Sequence, residues 1–220
     1  MSQTDFAASS APVFTPSELV VLFGDRFSEE GGMLGSKMEV LTSGKKVLVD
    51  RVAKTAIAAA VLAAEKAGAI RFDPRTGKAF FGMMKTKALH IVPGGSAATF
   101  PAGSLEAFLA AAAASQPKLE DALAHAIAEE SYNAEEQIVF QIRKGLASRG
   151  LLDTIEKKTL KVFTSVSYAL PDSTRAAAAR ENTDAIAALL ANEERARPEL
   201  FADVRKAIQS ALVHMTKSGD

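Results

Sequence analysis

The chain has no cysteine and no tryptophan among its 220 residues. Without cysteine it forms no disulfide and has no thiolate nucleophile, which fits a reducing compartment. A charge excess of one sign is also lacking, since 26 basic residues are balanced by 26 acidic ones. No overall field therefore draws the protein to nucleic acid or to an anionic membrane, and any such attraction has to come from a local cluster.

Long hydrophobic runs are lacking as well. The longest, TAIAAAVLAA from Thr55 to Ala64, is shorter than the about 20 apolar residues that a bilayer span needs. The opening MSQTDFAASSAPVF has neither a basic start nor an apolar stretch of signal-peptide length, so we expect residues 1–14 to form a flexible arm. These features predict a cytoplasmic protein whose contact with a membrane, where it exists, is peripheral.

Helical signals dominate the rest of the chain. In TPSELVVL, Thr15 is a helix cap, Pro16 takes the first helical position and Glu18 completes a capping box. Caps, glycines and apolar spacing predict helices over about 16–25, 50–67, 105–114, 118–130, 133–149, 172–191 and 198–215. Asp50 and Ser104 are the predicted caps of the second and third of these helices, and Ile138, Ile142 and Leu146 form a predicted apolar face of the fifth. The long helical stretches indicate a mainly α protein.

Two helix–glycine–hairpin units punctuate the helices. GAIRFDPRTGKAFF, from Gly68 to Phe81, reads as two short strands around a Pro/Gly turn, and the segment after Gly150 repeats the pattern. GMMKTKALHIV is a further strand candidate, and KMEVLTSGKKVLV leaves room for another short hairpin. The sequence thus predicts one domain over residues 15–217, a helical core with amphipathic surrounding helices and two small β-hairpins.

Catalytic and metal-binding patterns are missing. His90, His125 and His214 lie far apart without a second ligand at metal-binding spacing. No complete phosphate loop or GxSxG elbow occurs. Adjacent acids such as Glu193 and Glu194 point to different faces of a helix and are interpreted as solvated charge. We therefore expect no enzymatic activity, no metal and no cofactor.

Basic side chains offer the clearest candidate site. Arg51 and Lys54 share a face of the second helix, and Arg143 and Lys144 lie on the helix before the second hairpin. Scattered solvated charge is one interpretation of these residues. The other is that the two pairs meet and bind a phosphate, a lipid headgroup or DNA.

Apolar residues of the second hairpin offer a second candidate surface. Leu160, Val162 and Phe163 alternate with lysines along the segment KKTLKVF. This pattern favours contact with a membrane or with a second copy of the chain.

The ordered set of segments resembles the Golgi phosphoprotein 3 family, which has peripheral Golgi members in eukaryotes and many bacterial members. The resemblance runs from Thr15 to about Ala211 and includes TPSELVVLFGDRFSEEGG, AAVLAAEKAGAIRFD, FFGMMKTKALHIV and LEDALAHAIAEESYN. Its most specific part is IRKGLASRGLLDTIEKKTLKVFTSVSYALPD. It implies a mostly helical fold, recognition of phosphatidylinositol 4-phosphate at a membrane, and self-association or membrane contact through the hairpin from Leu151 to Tyr168.

The residues of the family's headgroup pocket are altered here. That pocket uses a tryptophan before the second helix, an arginine early in it and two basic residues on the helix before the hairpin. This chain has no tryptophan, and Arg51, Lys54, Arg143 and Lys144 are the residues best placed to substitute. The family's basic coat-binding arm is missing too, because residues 1–17 contain no Lys or Arg.

Three functions remain open at this point. The first is a non-enzymatic peripheral membrane protein that binds an anionic phospholipid headgroup and self-associates through the second hairpin. The second is a helix-wing DNA-binding protein, which the alanine-rich second helix disfavours because phosphate contacts need clustered Lys and Arg. The third is an oligomeric protein-interaction module without a lipid ligand.

Overall fold

The computed structural model of the protein describes residues 14–28, 35–79, 84–96, 98–127, 133–159 and 163–217. Within these ranges the elements are α1 (Pro16–Leu22), β1 (Lys37–Glu39), β2 (Lys46–Leu48), α2 (Val49–Lys66), β3 (Ile70–Ala79), β4 (Met84–Pro93), α3 (Leu105–Ala112), α4 (Leu119–Ile127), α5 (Ala134–Ser148), β5 (Asp153–Thr159), β6 (Phe163–Ala169), α6 (Asp172–Ala178), α7 (Thr183–Ala196) and α8 (Pro198–Lys217). The predicted mainly α class is confirmed. In the described part of the chain, three antiparallel pairs of strands accompany the helices, one more than the two expected hairpins.

Helix α1 is shorter than predicted but begins as predicted. Its capping box is present, and the Thr15 backbone N donates to Glu18 Oε2 at 2.9 Å. The helix ends at Leu22 and passes into a 3-10 turn from Gly24 to Arg26. Glu18 is buried and pairs with Arg149 at the end of α5, so the cap also joins two helices.

Helix α2 forms the centre of the core. It contacts α1, α3, α5, α7 and α8, and its side chains at Ala56 and Ile57 are fully buried. The predicted cap at Asp50 is wrong, because the helix begins at Val49 with Leu48 as N-cap, and Asp50 lies in its first turn. Gly68 follows the helix with φ of +71°, a left-handed conformation that glycine adopts without steric cost.

The hairpin after Gly68 is longer than predicted. The expected turn around Pro74 is wrong, since β3 runs through Pro74, which pairs with Leu89 of β4. Proline is tolerated there because both strands of a two-stranded ribbon have an outer edge that needs no N–H donor. The predicted strand GMMKTKALHIV supplies β4, and Ile91 on it is fully buried.

The predicted helix from Asp172 to about residue 191 is two helices. Helix α6 ends at Ala178, and α7 starts at Thr183 after the N-cap Asn182. The Asn182 side chain accepts a hydrogen bond from the Ala185 backbone N at 3.2 Å. An asparagine that satisfies a free backbone N–H favours a new helix start over continuation.

The remaining helices follow the sequence closely. Ser104 caps α3 by accepting from the Ala107 backbone N at 3.2 Å. The predicted apolar face of α5, Ile138, Ile142 and Leu146, is buried. One cluster of buried side chains extends from Phe14 to Leu212. The arm predicted over residues 1–14 lies outside the described residues except for Phe14, which is 3% exposed and therefore belongs to the core.

Candidate functional site

A cavity of about 470 Å³ opens between α2, α7 and α8. Its size lies in the range of small-molecule sites. Each helix contributes residues three or four positions apart, so that one face of each helix lines the cavity. The lining residues are Phe27, Arg51, Lys54, Thr55, Ala58, Leu190, Glu194, Phe201, Arg205, Ile208 and Gln209. We call this the α2–α8 cavity.

Three cations and one carboxylate lie in the wall of the cavity. The Arg51 side chain is exposed and forms no ion pair or hydrogen bond with the rest of the described chain. Lys54 Nζ lies 3.5 Å from Asp50 Oδ2 one turn away. Arg205 Nη1 lies 3.5 Å from Glu194 Oε1. Among the described residues, these three cations outnumber the two carboxylates beside them, Glu194 and Asp50, which leaves an excess of one positive charge.

Apolar side chains line the cavity beside these charges. Phe27 and Leu190 are partly buried against the core, Phe201 is half-buried, and Ile208 is buried. The Thr55 hydroxyl and the Gln209 amide add neutral hydrogen-bonding groups. A charged edge with an apolar wall suits a ligand that has an anionic end and a hydrocarbon end.

At the other end of the α2–α8 interface, the charged side chains pair with one another. Arg197, between α7 and α8, donates from Nη1 and Nη2 to the two carboxylate oxygens of Glu65, each at 2.8 Å. Its Nε also donates to Glu193 Oε2 at 2.6 Å. Glu193 is therefore a paired structural residue, and its interpretation as solvated charge is wrong. We call these three residues the Arg197 cluster.

The structure brings together two of the four predicted anion-binding residues. Arg51 and Lys54 share the α2–α8 cavity, whereas Arg143 and Lys144 are not among its lining residues. Arg143 donates from Nη2 to the Glu39 carbonyl oxygen at 2.6 Å, which ties α5 to β1. Its Nε is buried without a hydrogen-bond partner in the described part of the chain. Burial lowers the pKa of this guanidinium from its usual value.

The predicted hairpin surface is only partly visible. Leu160 and Val162 lie outside the described residues, and Phe163 is described only as the first residue of β6. The described part of the hairpin exposes Ile155 at 41% and Val166 at 38%. Self-association or membrane contact through this hairpin stays a prediction.

Other polar positions serve the fold. His90 Nδ1 lies 3.0 Å from the Gln116 carbonyl oxygen, and the ring of His125 packs near that of Phe108 with centroids 6.0 Å apart. Among the described residues, no group of three or more acidic or histidine side chains has a geometry for a metal ion. A second cavity, of about 370 Å³ between α3, α4 and α5, is lined mainly by apolar groups, and none of its described lining residues is charged.

No family model, curated protein or solved structure matches the chain.

Within the described ranges, no helix has the length and apolar character that a membrane span requires.

The pairing of Arg205 with Glu194 is not predicted from the sequence. Phe201, Arg205 and Gln209 recur every four residues and so share one face of α8. That spacing could have marked the face as a unit. It could not have shown that the face lies opposite Arg51, because that depends on how α8 packs against α2.

Proposed function

We propose that the protein is a non-enzymatic peripheral membrane protein that binds the phosphorylated headgroup of an anionic phospholipid. Phosphatidylinositol 4-phosphate is the lipid that the resemblance to the Golgi phosphoprotein 3 family implies. The proposal places the protein at the cytosolic face of a membrane. One observation carries it: Arg51, Lys54 and Arg205 line a single cavity that also has apolar walls.

The charge of Arg51 supports this role. A phosphate needs donors that are not already neutralised, and Arg51 has no partner in the described chain. Among the described residues Lys54 pairs with Asp50 alone, at 3.5 Å, and the two side chains are 40% and 48% exposed. Such exposed pairs contribute at most about 1 kcal/mol, so an incoming phosphate can compete for the lysine.

The position of α2 in the fold weakens the DNA-binding alternative. A recognition helix has to enter a groove, whereas α2 is packed among five other helices and buries most of its alanine side chains. Arg51 and Lys54 on this helix line the cavity, whereas the exposed Lys66 is a single cation at the far end of the helix. This arrangement favours a compact anionic group over a long duplex.

Vesicle flotation tests the proposal. Phosphatidylcholine vesicles would be compared with vesicles that also contain phosphatidylinositol 4-phosphate or phosphatidylserine. We expect the wild type to float only with anionic vesicles. The variant Arg51→Ala/Lys54→Ala should bind them at least about tenfold more weakly, because each cation near an anionic surface contributes about 1 kcal/mol.

A matched control removes the same charge elsewhere. Lys66 and Arg180 are exposed and lie outside the cavity lining, so Lys66→Ala/Arg180→Ala should float like the wild type. An equal loss in both double variants would mean that only net charge matters. Absence of flotation by folded wild-type protein on every vesicle would refute membrane binding. A preference between the two anionic lipids decides whether the headgroup is a phosphomonoester.

A further inference from the structure

Arg205 on α8 and Glu194 on α7 form an ion pair in the wall of the α2–α8 cavity. Their closest atoms are 3.5 Å apart, and their side chains are 67% and 59% exposed. The exposed fractions mean that water screens the pair, so it contributes little to the stability of the fold. An ion pair of this kind exchanges partners readily.

We propose that Arg205 is the third cation of an amphiphile-binding site and that Glu194 is its internal counter-ion, which the phosphate of the ligand displaces. This inference rests on the proposed function, since it concerns the same cavity. The ligand class is a molecule with a phosphomonoester and an apolar chain. The phosphate contacts Arg51, Lys54 and Arg205, and the chain lies against Phe27 and Phe201.

Glu194 gives the site its preference for phosphate. A carboxylate ligand carries the same single charge as Glu194 and gains little by replacing it at Arg205. A phosphomonoester carries about −1.5 to −2 charges and three acceptor oxygens, so it can contact Arg205 and the other two cations together. Removal of Glu194 should therefore help every anion and help carboxylates most.

Equilibrium titration of the 220-residue chain tests this role. The ligands are a short-chain phosphatidic acid, a fatty acid of matched chain length, and inorganic phosphate. We expect the wild type to bind phosphatidic acid most tightly. The variant Glu194→Gln should bind it about two- to fivefold more tightly, as expected for the loss of one exposed ion pair, and the fatty acid should gain by a larger factor.

Variants at Arg205 distinguish two roles of Glu194: it is either displaced from Arg205 by the phosphate, or it only repels anions. Arg205→Gln should weaken binding of phosphatidic acid, and the gain from Glu194→Gln should shrink when both changes are combined. Equal gains with and without Arg205 would show that Glu194 only repels anions. Unchanged affinities in both single variants would overturn the proposal. Circular dichroism checks that the variants fold, and Arg205→Lys retains the charge if Arg205→Gln does not fold.

The two proposals fail in different ways. If the wild type floats with anionic vesicles but Glu194→Gln and Arg205→Gln bind phosphatidic acid as the wild type does, membrane binding stands and the counter-ion role is wrong. If the variants respond as expected but the wild type does not float, the cavity takes a soluble amphiphile instead. Absence of binding of all three ligands to folded wild type and Glu194→Gln refutes the site itself.

Discussion

The two ends of the α2–α8 interface use the same residue types in opposite ways. At one end, Arg197 is held by both oxygens of Glu65 and by Glu193, at distances from 2.5 to 2.8 Å. At the other end, Arg205 reaches one carboxylate at 3.5 Å, and Arg51 reaches none among the described residues. The first arrangement fixes helices to each other, whereas the second leaves cations available for a ligand.

The two ends differ in the geometry and burial of their ion pairs rather than in their residue types. Glu65 and Glu193 are each 21% exposed, so their charges are only partly screened by water. Hydrogen bonds to Glu65 raise the pKa of Arg197 above its usual value, which means that the pairing favours the charged guanidinium. Bidentate, partly buried arginine pairs of this type are the ones that contribute measurably to stability.

The largest effect is expected from loss of the Arg197 cluster. Arg197→Ala leaves Glu65 and Glu193 without their cation, and we expect the free energy of unfolding to fall by about 1–3 kcal/mol. Urea denaturation measures the change. Arg195→Ala is the matched control, because the one hydrogen bond of Arg195 within the described residues is to Asn192 Oδ1, at 3.5 Å. Equal stability of both variants would mean that the cluster is no stronger than an ordinary surface pair.

A third region, around Glu106, separates the effect of burying a carboxylate from the effect of pairing it with a cation. Glu106 is fully buried and accepts hydrogen bonds from the Ser17 backbone N and hydroxyl, each at 2.9 Å. Burial raises its pKa, although these hydrogen bonds oppose the shift. The folded chain therefore holds the proton to higher pH than the unfolded chain, and stability falls as the pH rises above about 4.5, the usual glutamate value.

Glu106→Gln should accordingly stabilise the protein at neutral pH, by less than Arg197→Ala destabilises it. The glutamine keeps an oxygen for the Ser17 backbone N and offers its NH₂ to the hydroxyl. The gain in melting temperature should shrink as the pH approaches 4.5, and melting curves at several pH values measure it. Destabilisation of Glu106→Gln at every pH would show that the hydrogen bonds to the carboxylate outweigh its burial.

Glu18→Gln provides the contrast to Glu106→Gln. Burial raises the pKa of Glu18 as well, but Glu18 is paired with Arg149. Its replacement leaves Arg149 without the carboxylate, so we expect a loss of stability where Glu106→Gln gives a gain. If Glu18→Gln and Glu106→Gln were both more stable than the wild type, the pairing of Arg149 with the buried Glu18 would contribute nothing to stability.

The sequence predicted local features better than tertiary ones. The box at Thr15, the cap at Ser104 and the buried face of α5 each depend on residues within one or two turns, and each is confirmed. The turn at Pro74 failed because the pairing partner of β3 was assigned to the wrong segment. Propensity alone does not identify which strand pairs with which.

At the candidate site, too, the sequence predicted local features better than tertiary ones. The shared face of Arg51 and Lys54 follows from their spacing on α2. Arg205 lies 151 positions after Lys54, and no periodicity connects them. Adjacent Glu193 and Glu194 have different roles because one reaches Arg197 and the other reaches Arg205. These roles depend on the packing of α7 and α8, which a single sequence does not specify.

The smallest effect on stability is expected at the cavity end. Arg205→Ala removes an exposed pair, so its free energy of unfolding should stay within about 0.5 kcal/mol of the wild type. The same urea denaturation that measures Arg197→Ala checks it. A loss as large as that of Arg197→Ala would assign Arg205 to the fold. Near-wild-type stability combined with weakened binding of phosphatidic acid would instead show that Arg205 serves a ligand. An arginine that contributes neither to stability nor to binding would leave both measurements unchanged.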